Sequence, residues 1–121
     1  MIKTTQKSAV RAYHTITKLS NEPLSLPVSY KLFKLKKKLS PHIEFQSEQE
    51  VALIEQLHAK YDDGGWVFET DEDRDTFIAK IKEINEMDVE VDIDPEKLPL
   101  DENLMLSISD MEALVDFIEF E

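Results

Sequence analysis

Both glycines of the chain stand side by side, Gly64-Gly65, directly behind Asp62-Asp63. Two acids followed by two glycines form a clear turn signal, and no other glycine offers a second place of easy backbone reversal. This spacing excludes every glycine-rich phosphate loop. It also sets a boundary. The 121 residues fit one domain, 1–121, read as a basic helical half at 1–61 and an acidic mixed half at 62–121.

Charge divides the chain as well, at His42/Ile43. Met1 to His42 hold nine basic residues against the single acid Glu22, a charge of +8. Ile43 to Glu121 hold five basic and 25 acidic residues, a charge of −20, so the net −12 hides two opposed parts. Such asymmetry says more than the net value. The parts attract one another, the acidic one repels nucleic acid and anionic lipid, and head-to-tail contact between copies is open to the chain. There is no cysteine, which removes disulfides, thiolate metal sites and cysteine nucleophiles. No apolar run reaches the length of a membrane span. Met1 to Ser20 are too polar for a secretory signal.

Apolar spacing then predicts the elements. Ala9, Val10, Tyr13, Ile16 and Leu19 recur as on a helix, so Thr5 to Ser20 is expected to be one. Pro23 and Pro27 end it and start the next. Val28, Leu32, Leu35 and Leu39 form the second stripe, widened by Phe33, with Lys31, Lys34, Lys37 and Lys38 largely off it. Pro41 either kinks a long helix running from Val28 to Tyr61 or separates it from a fresh one that Ser47 and Glu50 would cap; the kinked helix is the favoured reading. Trp66 and Phe68 suggest a short strand. Thr70 and Asp73 cap a helix at Asp71–Glu86, with acids at its positive end and Phe77, Ile78, Ile81 and Ile84 as its buried face. Val89, Val91 and Ile93 alternate as a strand. Leu104, Leu106 and Ile108 suggest another, and Ser109 with Glu112 caps a final short helix. The expected class is α+β: antiparallel N-terminal helices, a C-terminal helix with short antiparallel strands, and a last short helix.

The words PVSYKLFKLKKKLSP (27–41), EQLHAKY (55–61), GGWVFETDEDRDTFIAKIKEINEMDVEVDI (64–93) and LPLDENLMLSISDMEALVDFIE (98–119) occur in that order. With them the chain resembles a family of small bacteriophage and prophage proteins over most of its length. In that family a Pro-Val helix start leads to a Leu-x-Pro kink, and a helical stretch ends in Lys-Tyr. A glycine turn, a helix, a Val-Glu-Val strand and an acidic segment follow. The long acid run and Met105-Leu106-Ser107 depart from the pattern. The resemblance implies a phage origin and a place in the bacterial host cytoplasm or on the virion. It brings no catalytic signature.

No catalytic apparatus is visible in the residues themselves. His14, His42 and His58 are scattered, whereas a zinc site needs three or four converging ligands. No serine sits in a nucleophile elbow. A calcium loop needs glycine at its sixth place and glutamate at its twelfth. Counting from Asp92 puts Lys97 and Asn103 there, and counting from Asp71 puts Thr76 and Lys82. Acids are too abundant for any pair to imply glycoside hydrolysis. No cofactor, metal or enzymatic activity is expected.

Two kinds of binding remain. The first is a protein–protein interaction protein, a virion-assembly accessory or chaperone, docking through exposed apolar residues such as Trp66 and Phe120. The second is an acidic inhibitor of a host nucleic-acid or anti-phage defence protein. In that case Asp62, Asp63, Glu69, Asp71, Glu72, Asp73 and Asp75 replace phosphates. Direct nucleic-acid binding by Lys31 to Lys38 ranks last, since phosphate neutralisation there would work against the −20 remainder, and a lysine face paired with the chain's own acids is the better account of the run.

Overall fold

The Thr5 hydroxyl accepts a hydrogen bond from the Ser8 amide at 3.2 Å, and that cap separates the first strand from the first helix. The computed structural model describes residues 1–99 and 105–120. In order, the elements are β1 (Ile2–Thr5), α1 (Gln6–Leu19), α2 (Leu26–Gln56), β2 (Lys60–Asp62), β3 (Gly65–Val67), α3 (Asp71–Asn85), β4 (Asp88–Val91), β5 (Glu96–Leu98), α4 (Ile108–Leu114) and β6 (Ile118–Phe120). The class is α+β, with a long second helix and a short C-terminal one.

One body holds the core. Ala9, Ala12, Ile16 and Leu19 of α1 meet Val28, Leu32, Leu35 and Leu39 of α2, a 3.6-period face on each helix. The small Ala9 and Ala12 let the two helices come close. Val91, Leu98, Leu114, Phe117 and Ile118 close the cluster. The strands hold its edges. β1 pairs antiparallel with β4, Ile2 opposite Val91 and Thr4 opposite Val89. This turns Lys3 and Glu90, which face each other across the ladder, to the other side. β5 and β6 pair parallel, Glu96 opposite Ile118. Parallel neighbours need a crossover, and the segment carrying α4 supplies it.

Pro41 lies inside α2, and the helix continues through it to Gln56 without a second start. Ser47 and Glu50 are therefore interior residues, not a cap. The helix does stop short of Tyr61, because Leu57, His58 and Ala59 form a left-handed exit. His58 has φ 53°, its amide donates to the Glu55 carbonyl at 3.3 Å, and the Ala59 amide donates to the Ile54 carbonyl at 3.0 Å. That is the hydrogen-bond pair of a Schellman ending, built here without glycine at a cost of about 1 kcal/mol. Lys60 and Tyr61 consequently enter a strand, and the division at 61/62 falls within β2.

Other expectations shift too. Ile93 lies just beyond β4, and 105–107 carry no strand; Leu104, the start of the strand expected there, lies outside the described residues, as does Asn103. α4 begins two residues earlier than expected, capped reciprocally by Ser107 and Asp110 rather than by Ser109 and Glu112. Asp110 makes the better cap since its carboxylate also meets Lys18 at 2.5 Å.

Candidate docking arm

From Ser47 to Glu83 no residue is buried. This stretch comprises the distal part of α2, the β2–β3 hairpin and all but the last turn of α3, called here the arm together with its flanks (43–86). The body core ends at a polar seam. Buried Gln6 donates from Nε2 to the His42 carbonyl at 2.7 Å and to Gln46 Oε1 at 3.3 Å, and Gln46 donates to Glu50 at 3.2 Å. Beyond it the apolar residues have only one another. Of the face expected to be buried on α3, Ile84 alone is buried; Phe77 and Ile81 are half-buried and Ile78 is exposed. The spacing was helical, but α1, α2 and Phe68 cover that part of the helix only in part.

The hairpin at its tip follows directly from the acid–glycine run. Asp63 (φ 48°) and Gly64 (φ 82°) form a two-residue loop with both φ positive, the primed turn that matches the twist of paired strands. Tyr61 lies opposite Trp66 and Lys60 opposite Val67. Alternation puts Tyr61 and Trp66 on one face and Lys60 and Val67 on the other. The two rings meet edge to face at 5.5 Å between centroids, yet Tyr61 is 67% and Trp66 45% exposed. Phe68, two residues beyond Trp66, rests on Phe77 of α3 at 5.2 Å. The aromatic contacts of the arm thus run from α3 to the hairpin tip, and the tip is the least covered.

The acids around this hairpin are unpaired. Asp62, Asp63, Glu69, Asp71, Glu72 and Asp75 are exposed, and Asp73 is half-buried. The Asp73 amide donates to Thr70 Oγ1 at 3.1 Å, which caps α3. Among the described residues no ion pair involves any of the seven. Residues 43–86 hold 13 acids and four basic residues, so the arm carries −9 of the net −12.

The predicted lysine face has a different fate. Lys34 reaches Glu96 at 2.9 Å, Lys38 reaches Asp92 at 3.8 Å, and Lys31 donates to the Lys97 carbonyl at 2.5 Å. Hydrogen bonding to Glu96 holds the Lys34 ammonium above the ordinary lysine range, against a smaller opposing effect of burial. Lys37 is exposed. On α1, Lys18 pairs with Asp110 and Arg11 lies 3.8 Å from Glu112. Every ion pair between the basic N-terminal helices and an acid side chain therefore uses Asp92, Glu96, Asp110 or Glu112 among the described residues, all in the body.

Sequence reasoning singled out Trp66 and the acids but passed over Tyr61, Val67 and a basic stripe of Lys7, Arg11, His14 and Lys18 that lines an open groove on α1 with Asn85. The stripe was detectable by its spacing of four, three and four. The partnership of Tyr61 with Trp66 was detectable from their symmetric places about an Asp-Gly turn. Phe120, expected to be an exposed docking residue, is half-buried against the core as the last residue of β6. Among the described residues no three metal-ligating side chains converge, and no helix is long and apolar enough to cross a membrane. No protein-family model, curated protein or solved structure matches this chain.

Proposed function

We propose that this is a non-enzymatic protein-binding protein that docks through its arm, in keeping with a phage virion-assembly accessory or chaperone. One observation carries the reading. A run of 37 residues, Ser47 to Glu83, folds without a single buried residue while Val51, Tyr61, Trp66, Val67 and Ile78 remain exposed. Isolated exposed apolar residues are ordinary. An entire layer without an interior is one that a second surface can complete. The acids suit the same task, since charge around an apolar centre steers encounter and selects partners.

A second reading, an inhibitor that occupies a host nucleic-acid groove, draws support from the seven carboxylates around the hairpin, which form no ion pair among the described residues, whereas Asp92, Glu96, Asp110 and Glu112 of the body each do. One experiment addresses both. The chain is used to capture proteins from phage-bearing host lysate beside a variant with Asp71→Asn, Glu72→Gln, Asp73→Asn and Asp75→Asn, and beside Lys37→Gln in the body. Arm docking requires that the arm variant lose its partner and the body variant keep it. A phage structural protein as the partner favours the assembly role, and a nucleic-acid enzyme favours the inhibitor. Equal capture by all three chains would sink both.

A further inference from the structure

We propose that the Tyr61/Trp66 face of the hairpin is the anchor of the docking arm and that it receives an arginine-bearing cationic segment of the partner protein. The inference rests on the arm being the docking surface, and it names the chemistry of what docks there.

Three features of the hairpin converge. The first is the unpartnered aromatic face. A cation over a ring is attracted by its negative π-face, most strongly at Trp. The second is the surrounding charge. Asp63 stands in the turn beyond Tyr61, with Asp62 at the end of β2 on the face of Lys60; Glu69 lies between the hairpin and α3, and Asp71 and Glu72 in the first turn of α3, all without ion pairs among the described residues. The third is the contrast with the body, where both tyrosines already have cations. Lys34 lies 5.2 Å from the Tyr30 ring centre and Lys36 5.5 Å from that of Tyr13. Among the described residues neither Tyr61 nor Trp66 has such a neighbour, and Lys60 of the same hairpin points to its opposite face.

A second copy of the chain fits less well. Face-to-face pairing of two arms would bring −9 against −9. The stripe on α1 is already half engaged, through Lys18 with Asp110 and Arg11 with Glu112. Arginine is preferred to lysine as the visiting group on physical grounds. Its planar guanidinium stacks on aromatic faces, sheds water more easily than an ammonium, and offers a fork of donors to a carboxylate. A hairpin with rings on one face and carboxylates at its turn presents both kinds of contact.

Trp66 is the only tryptophan, so its emission reports on this face alone. Titrations use the intact chain and two synthetic peptides of equal length and charge, one with arginine and one with lysine as the basic residue. The arginine peptide should shift Trp66 emission and bind about three- to tenfold more tightly. Tyr61→Ala, which leaves the charge unchanged, should remove that preference, and Tyr61→Phe should restore it, which separates loss of the ring from loss of the fold. Asp62→Asn with Asp63→Asn should weaken both peptides and flatten the dependence on salt. Equal affinity for the two peptides, or indifference to Tyr61→Ala, would reduce the effect to general acidity and overturn the proposal. So would a concentration-dependent dimer in sedimentation that Tyr61→Ala abolishes, because the occupant would then be a second copy. If capture from lysate still depends on the arm acids while the peptides show no arginine preference, the anchor is wrong and the docking reading stands.

Discussion

Replacing Asp110 by Ala removes two interactions of unequal size. The carboxylate belongs to a residue only 7% exposed. It accepts from the Ser107 amide at 3.1 Å and from Lys18 Nζ at 2.5 Å. The first bond closes the capping box at the start of α4. A charged acceptor on an otherwise orphaned helix N–H contributes about 1.5 kcal/mol. The Lys18 side chain is 61% exposed, so solvent screening leaves the ion pair about 0.5 kcal/mol. The opposite half of the box, Ser107 Oγ accepting from the backbone amide of residue 110, survives the change. The loss is therefore about 2 kcal/mol, or about 8 °C in Tm for a chain of this length. Its pH dependence has a definite sign. Lys18 chiefly, with help from Ser107 and against burial, holds the Asp110 carboxyl below its ordinary value. A lowered folded-state pKa contributes stability above the unfolded value and loses it as pH falls through the folded one. Urea denaturation followed by circular dichroism should show the full gap between the chains at neutral pH. The gap should narrow once the pH drops below the ordinary carboxylate value of about 4. A gap that is the same at neutral and strongly acid pH would refute the argument, as would one under about 0.5 kcal/mol at neutrality.

Phe117, fully buried among Leu98, Leu114 and Ile118, should cost about 3–5 kcal/mol as Phe117→Ala and about 1 kcal/mol as Phe117→Leu, read from urea midpoints. Pro41→Ala restores an N–H inside α2 and should raise stability by about 1–3 kcal/mol; a fall in Tm would mean that the proline itself is needed to seat Gln6 and Gln46. Gly64→Ala meets no atom within 4 Å but must keep φ at 82°. It should loosen the hairpin by about 1 kcal/mol, seen as a red shift of Trp66 emission, with the body's thermal midpoint unchanged.

Where local rules and tertiary packing agree, the sequence was readable. The Thr70 cap, the α1 and proximal α2 stripes, the long helix through Pro41 and the Val89–Val91 strand are all set by residues within a few positions of one another. What escaped depended on contacts remote in the chain. Ile2–Thr5 is a strand because Asp88–Val91 lies beside it, and Glu96–Leu98 is one because Ile118–Phe120 returns to it. The exit of α2 escaped for the opposite reason, since the left-handed residue is His58 and not glycine. Periodicity also marked Ile78 as buried, but a period shows which residues share a face and not whether anything covers it. The candidate site was legible in its composition, Trp66 and the acids. Its pairing of Trp66 with Tyr61 was passed over, although their symmetric places about Asp63-Gly64 carried the signal, because Tyr61 looked like the end of a helix.

The charge division acquires a different meaning once the ion pairs are located. Read along the chain, it opposes a basic front to an acidic remainder. In the fold, four of the front's nine cations pair with Asp92, Glu96, Asp110 and Glu112, and the body as a whole carries −3, with −9 in the arm. Self-repulsion in the arm works against its own thin packing. Added salt should therefore protect the arm's amides from hydrogen exchange while weakening its hold on a cationic partner, two effects of opposite sign from one set of carboxylates. A stretch that is acidic at a cost to its own packing is what the proposed docking surface requires.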